Sequence, residues 1–176
     1  MDFGSRNANA WEQRKLGDLY RVAGSGGTPA VGNSNFYDGN IPFLSISDMR
    51  GRDTSLTAKT ITQDGLNSSA AWLVPAGAIA LAMYASVGKT AIIKRNMATS
   101  QAFFNMVFTD DVTTNFVFTR LERAEKEMEW EPLISTGTQR NLNAGKVRGF
   151  AIQVPSLPEQ RQIGTFFKRL DDLIAL

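Results

Sequence analysis

Six apolar residues near the end of the chain, Ile163, Phe166, Phe167, Leu170, Leu173 and Ile174, recur at steps of three and four. That spacing places them on one face of a helix. Directly before them, Ser156-Leu157-Pro158-Glu159 has the S-x-x-E spacing of a capping box, in which a serine and a glutamate satisfy each other's free backbone N–H groups. Pro158 falls in the first turn, where its missing N–H costs nothing. The segment from Leu157 onward is therefore expected to be an amphipathic helix. Its pattern is unfinished at Leu176 and no C-cap glycine closes it, so the helix is expected to continue in a longer parent chain or to pack on a partner. An exposed apolar stripe of this length usually finds a partner, and a homodimer through this face is expected of the isolated chain.

Upstream of the helix the periodicity changes. Phe150–Val154 reads as a last strand, and Ile41–Met49 as a strand ending in a polar loop. Ala78–Tyr84, Thr90–Ile93 and Phe103–Phe108 read as three more strands. Asn115–Trp130 is helical by composition, with its many acids facing water, and residues 11 to 23 form a short strand or helical turn. Gly24-Ser25-Gly26-Gly27-Thr28-Pro29 reads as a flexible loop and Asp38-Gly39 as a turn. Strands dominate the middle and helices flank it, which makes the expected fold class α+β. A β-rich domain over residues 1–155 is expected, followed by the start of a coiled-coil-type helix over 156–176.

Charge is distributed more informatively than its total of +2. No Asp or Glu lies between Asp64 and Asp110, where Lys89, Lys94 and Arg95 lie. None lies between Glu131 and Glu159, where Arg140, Lys146 and Arg148 lie. Such a chain can present a basic face to a polyanion; a chance gap over buried strands would give the same pattern. With no Cys and no His, the sequence excludes Cys/His zinc sites, a thiol nucleophile and a histidine base. The absence of disulfides suits a reducing cytoplasm. MDFGSRNANAW has no apolar core of a signal peptide, and the most apolar window, Ala70–Ala85, is interrupted by Pro75 and Gly77.

Two glycine motifs fail as nucleotide loops. Ala85-Ser86-Val87-Gly88-Lys89-Thr90 ends in G-K-T, but the position of the required earlier glycine is Met83, and the segment runs strand to strand. In the Gly24–Pro29 segment the third glycine of a dinucleotide fingerprint would fall at Pro29. Lys89 at a hairpin tip could meet a phosphate or simply be solvated. The Gly24–Pro29 loop could bring its N–H groups and the Thr28 hydroxyl close to a nucleic-acid backbone, or be a mobile turn. Thr136–Asn143 concentrates Thr136, Thr138, Gln139, Arg140, Asn141 and Asn143. Arg pairs bidentately with guanine, and Gln or Asn with adenine; a plain polar connector would have the same composition. Asp110-Asp111 and Asp171-Asp172 are adjacent acid pairs without evident partners for metal-dependent nuclease chemistry, and Asp171-Asp172 is expected on the solvated side of its helix.

An ordered set of segments resembles the specificity subunit of type I restriction-modification systems. These are Trp11–Leu19, Gly26-Gly27-Thr28-Pro29, Ile41–Met49, Ala85–Ile92, Ser100–Asn105, Gly137–Asn143 and Pro155–Gln160. Each is weak alone; their order is specific. The resemblance implies one of the two target-recognition domains of such a subunit plus the beginning of its conserved helix. It implies a cytoplasmic subunit with no chemistry or cofactor of its own, which reads one half of a bipartite duplex site and brings methylation and restriction subunits to it. On that reading Lys89, Lys94, Arg95, Lys146 and Arg148 would neutralise phosphates. Thr28, Ser45, Ser47, Ser86, Thr138, Gln139, Arg140, Asn141 and Asn143 would supply further contacts. Ile163, Phe166, Phe167, Leu170, Leu173 and Ile174 would dimerise, and the helix would set the spacing between half-sites. The alternative from another class is a protein-interaction and dimerisation module that does not bind DNA.

Overall fold

The computed structural model describes residues 11–135 and 140–174. In chain order its strands are β1 (Glu12–Lys15), β2 (Val22–Ser25), β3 (Tyr37–Leu44), β4 (Asp53–Thr54), β5 (Lys59–Ile61), β6 (Ile79–Ala82), β7 (Thr90–Ile93), β8 (Ala98–Thr99), β9 (Phe103–Val107) and β10 (Ala151–Val154). Its α-helices are α1 (Gln63–Asn67), α2 (Asp111–Lys126), α3 (Ala144–Gly149) and α4 (Leu157–Ile174). The expected α+β class holds.

A five-stranded sheet in the order β2-β9-β6-β7-β4 forms the centre. β6, β7 and β9 are buried on both faces, which explains why they read as continuous apolar runs. Alternate residues serve two cores. Ile79, Leu81, Ile92, Phe104 and Met106 pack with Phe116, Phe118 and Leu121 of α2 and with Val147, Phe150 and Ile152. Ala80, Ala82, Ala91, Ile93 and Phe103 pack on the other side with Leu44, Met49, Val74 and Met97. Beyond that second core lies a three-stranded sheet, β5-β3-β8, with Phe43, Ile61 and Ala98 buried against it. Burying each Val, Leu, Ile, Phe or Met among these contributes about 1.5–3 kcal/mol before entropy is counted.

Several local expectations need correction. The glycine segment is not a flexible loop: Gly24 and Ser25 belong to β2, and a Cβ on Gly26 would lie 2.2 Å from the Ser100 carbonyl oxygen. Gly26 and Gly27 donate to the carbonyls of Phe103 and Thr99. Asp38-Gly39 does not reverse the chain. Asp38, at φ 59°, makes an irregularity inside β3, where the register with β5 shifts between Tyr37 and Ile41. The long helix starts earlier than its composition suggests, because Asp110 caps it: Asp110 Oδ1 accepts from the Thr113 N–H at 2.8 Å. It also ends earlier, and Met128 beyond it has a φ of 57°. The stretch before the last strand contains α3, with Asn143 as its N-cap accepting from the Lys146 N–H at 2.9 Å.

β1 pairs antiparallel with β10, so the two ends of the domain meet. From there α4 departs and packs along α2. Gly164 permits close approach: a Cβ there would lie 2.9 Å from Asn115 Cβ. Ile163 packs against the α2 core. The rest of the apolar face (Phe166, Phe167, Leu170, Leu173 and Ile174) is between 38% and 83% exposed.

Candidate nucleic-acid interface

The strand register brings distant loops to one end of the central sheet. β2 ends at Ser25 beside Phe104, β6 ends at Ala82 beside Phe103, and β7 begins at Thr90 beside Leu81. The connections at this end are therefore Gly26–Pro29, Met83–Lys89 and Ser100–Ala102. β3 delivers a fourth: Ser100 N–H donates to Leu44 O, which puts Ser45–Met49 alongside. Asn141 and Leu142 close the group, since Leu142 N–H donates to Met83 O and Tyr84 bridges to Asn141.

This end collects Thr28, Ser45, Ser47, Ser86, Lys89, Arg140, Asn141 and Asn143. Ser86, Ser47, Arg140 and Asn143 are exposed, while Thr28, Ser45, Lys89 and Asn141 are partly covered. Ser45 N–H donates to Asp48 Oδ2 at 2.8 Å, closing a capping box round the Ile46–Asp48 turn and presenting Ser47 outward. Lys89 is not a free hairpin lysine: its Nζ donates to Met49 O at 2.7 Å and ties the two loops together. Arg140 pairs with Glu131 at 2.5 Å, both largely exposed, so a phosphate could compete for it with little desolvation cost. Lys146, in the first turns of α3 rather than in a loop, donates to Ser135 Oγ at 3.1 Å. Arg148, on the same helix, lies 5.5 Å over the Phe104 ring. Thr138 and Gln139 lie outside the described residues.

Lys94 and Arg95 do not join this group. They follow β7 at the opposite end of the sheet, where Lys94 pairs with Asp53 at 3.6 Å. Arg95 is exposed without an ion pair among the described residues.

The Met83–Lys89 turn has a rigid floor. Gly88 adopts a φ of 90°, and a Cβ there would lie 2.5 Å from Trp130 Cδ1. Trp130 is buried and stacked on Phe150 at 4.2 Å. A cavity of about 260 Å³ opens beside it, lined by Ser86, Trp130, Glu131 and Arg140 among others. Two further residues at this end have little sequence signal. Tyr84, read as a strand end, is 38% exposed in the turn and offers a ring for stacking. Gln101, exposed in the Ser100–Ala102 turn, offers an amide. Their only sequence signal was an aromatic or amide next to small, turn-forming residues.

Asp171 is not on the solvated face of its helix. It accepts from Arg52 at 2.9 Å. Glu122, on the nominally wet face of α2, is half-buried there; burial and the Asp171 carboxylate push its pKa above the usual value. Among the described residues no group of three or more His, Cys, Asp or Glu could hold a metal ion, and no helix is long and apolar enough to cross a membrane.

Known proteins are similar to this chain in sequence and in fold. The chain is 29% identical over 168 residues to the Type I restriction enzyme MjaIX specificity subunit of Methanocaldococcus jannaschii, covering 93% of this chain and 38% of that protein. It is 26% identical over 171 residues to the HindI specificity subunit of Haemophilus influenzae, covering 93% and 37%. It thus spans about two fifths of the length of these relatives. Its fold is similar to a chain from a type I R-M system solved in the context of complex assembly and conformational transition, with a TM-score of 0.74, 18% identity and coverage of 94% and 39%. The HsdS subunit from Thermoanaerobacter tengcongensis is similar with a TM-score of 0.70, 17% identity and coverage of 99% and 40%. The family described as Type I restriction modification DNA specificity domain matches residues 9–176, nearly the whole chain, and the chain belongs to that family.

Proposed function

We propose that this chain is the DNA-reading unit of a type I restriction-modification enzyme, occupying one half of a bipartite duplex site. Residues 1–155 recognise the half-site, and the helix from residue 156 onward joins this domain to a second one. Methylation and restriction subunits supply the chemistry; this chain supplies none and needs no cofactor. The observation that carries the reading is the convergence of the Ser45–Met49, Met83–Lys89, Ser100–Ala102 and Arg140–Asn143 segments at one end of the sheet, in a chain of this family. A shared end built from several loops suits base reading, because each loop can address a different base pair while the sheet holds their spacing.

Roles within the face are part of the same proposal. Lys146, Arg148 and Lys89 act on the backbone as positioning cations. Ser86, Tyr84 and Arg140 project from loops toward bases, and Asn143, whose Oδ1 caps α3, has its amide N–H groups left for them. Lys94 and Arg95, at the other end, lie outside this proposed contact surface. In the isolated chain, the exposed stripe of α4 pairs with a second copy and gives a homodimer carrying two recognition ends.

The test is a mobility-shift titration over a salt series with Lys146→Ala and Arg140→Ala. Lys146→Ala weakens every duplex about equally and lowers the salt slope by roughly one unit. Arg140→Ala relaxes one base position, at roughly 1–3 kcal/mol. Binding that is absent in the wild type, or indifferent to salt and sequence, contradicts the reading and favours a protein-interaction module. A fall in melting temperature of Arg140→Ala with unchanged affinity would make that segment a brace of the fold.

A further inference from the structure

Arg52 connects three layers of the molecule. Its main chain is fixed to the central sheet: Arg52 O accepts from the Ile92 N–H at 2.7 Å, and β4 begins at the next residue. Its side chain, 6% exposed, runs over α2, with the guanidinium 4.4 Å above the Phe118 ring. One nitrogen donates to Asn115 Oδ1 on α2 at 2.5 Å and the other to Asp171 Oδ2 on α4 at 2.9 Å. A planar guanidinium holding two acceptors on two helices fixes an angle as well as a distance, which a flexible ammonium would not do.

The position of this contact matters. Near its start α4 is held by Glu159, which accepts from Trp11 Nε1 at 3.0 Å, and then by the close approach of Gly164 to Asn115. Asp171 lies fourteen residues beyond Leu157, roughly 21 Å along the axis. Past Gly164 the helix presents mainly exposed apolar and charged residues, and among the described residues the Arg52–Asp171 ion pair is its outermost polar tie to the domain. From the close approach at Gly164 the free arm to Asp171 is seven residues, roughly 10 Å, and a swing of about 20° displaces the helix there by about 4 Å, comparable to one base-pair step of roughly 3.4 Å.

We propose that Arg52 is a positioning residue that locks the direction of α4 relative to the recognition end, and so limits the spacer lengths that two half-sites can have. The inference rests on the DNA-reading function proposed above. It concerns geometry between domains, not base choice.

The chain has no cysteine, so the single cysteines of Val31→Cys and Arg169→Cys, both at exposed positions, can carry spin labels on domain and helix. Distances are measured with labelled chain diluted in unlabelled chain, for otherwise wild-type protein, Asp171→Ala and Asp171→Glu. Alanine is a good helix former, so the first variant removes the tie without breaking the helix. In parallel, each unlabelled protein selects from a randomised duplex library. The inference expects a narrow distance distribution in the wild type, a broad one in Asp171→Ala, and a return toward narrow in Asp171→Glu. It expects Asp171→Ala to select the same half-site bases with several neighbouring spacers where the wild type selects one. An unchanged distribution with an unchanged spacer overturns it. A change in the selected bases also overturns it, since the contact would then support the recognition end itself. If the wild type selects no bipartite site, the DNA-reading function fails, and the distances alone decide whether Arg52 locks the helix.

Discussion

Gly88→Ala tests whether the recognition end is a rigid platform. Two terms oppose the substitution. At a φ of 90° an alanine is strained, at about 1–2 kcal/mol. Its Cβ would also lie 2.5 Å from Trp130 Cδ1, and Trp130 cannot move aside because it is buried and stacked on Phe150. Overpacking of that kind costs about 1–3 kcal/mol. The sum is about 2–5 kcal/mol, a substantial share of a typical domain stability of about 5–15 kcal/mol. For a chain of this size it lowers Tm by roughly 4–20 °C. Gly77→Ala is the matched control, with a φ of 88° and nothing within 4 Å of the added Cβ, so it carries the backbone term alone. Urea melts of both variants, at unchanged m-value, read the difference directly. The expected result is that Gly88→Ala loses about 1–3 kcal/mol more than Gly77→Ala. Equal losses would refute the seating of the turn on Trp130.

Two further outcomes follow. Glu122 has its pKa raised by burial and by Asp171, against the attraction of Lys126 and Arg52. A raised carboxylate binds its proton more tightly in the folded state, so stability falls as pH rises through the folded value and the cost is absent below the unfolded one. Glu122→Gln should therefore raise Tm at pH 7, with the gain vanishing toward pH 4; a loss at pH 7 would make the attraction dominant. Phe167→Asp places a charge in the exposed stripe of α4, and sedimentation should show the wild-type dimer becoming a monomer. A wild type already monomeric at high concentration would remove the dimer.

What was legible in the sequence was local. β7 matches its expected span, Thr90–Ile93, because a β-branched run sits between a glycine turn and Lys94-Arg95-Asn96. α4 starts where Ser156–Glu159 placed it. α3 is nearly illegible because its six residues include two glycines, leaving the Asn143 cap as the lone signal. The place of Asp171 is illegible for a different reason: its partner Arg52 lies 119 residues away, and helical periodicity carries no information about such a distance. The candidate site divided the same way. Arg140 is legible as an exposed cation and Lys89 as a turn residue, but the tie of Lys89 to Met49 O is not, and only the pairing of β2 with β9, and of β9 with β6, shows that their loops share an end. The same pairing separates Lys94 and Arg95 from them, although Lys94 is five residues from Lys89 in the chain.

On the proposed function the loops of residues 1–155 choose the DNA sequence and α4 does not. A domain swap tests this: residues 1–155 are replaced with the corresponding block of a relative, the helix is left in place, and the methylated motif is sequenced in cells that supply the methylation subunits. The methylated half-site should change to the relative's while methylation itself survives. A hybrid that methylates the original half-site would contradict it.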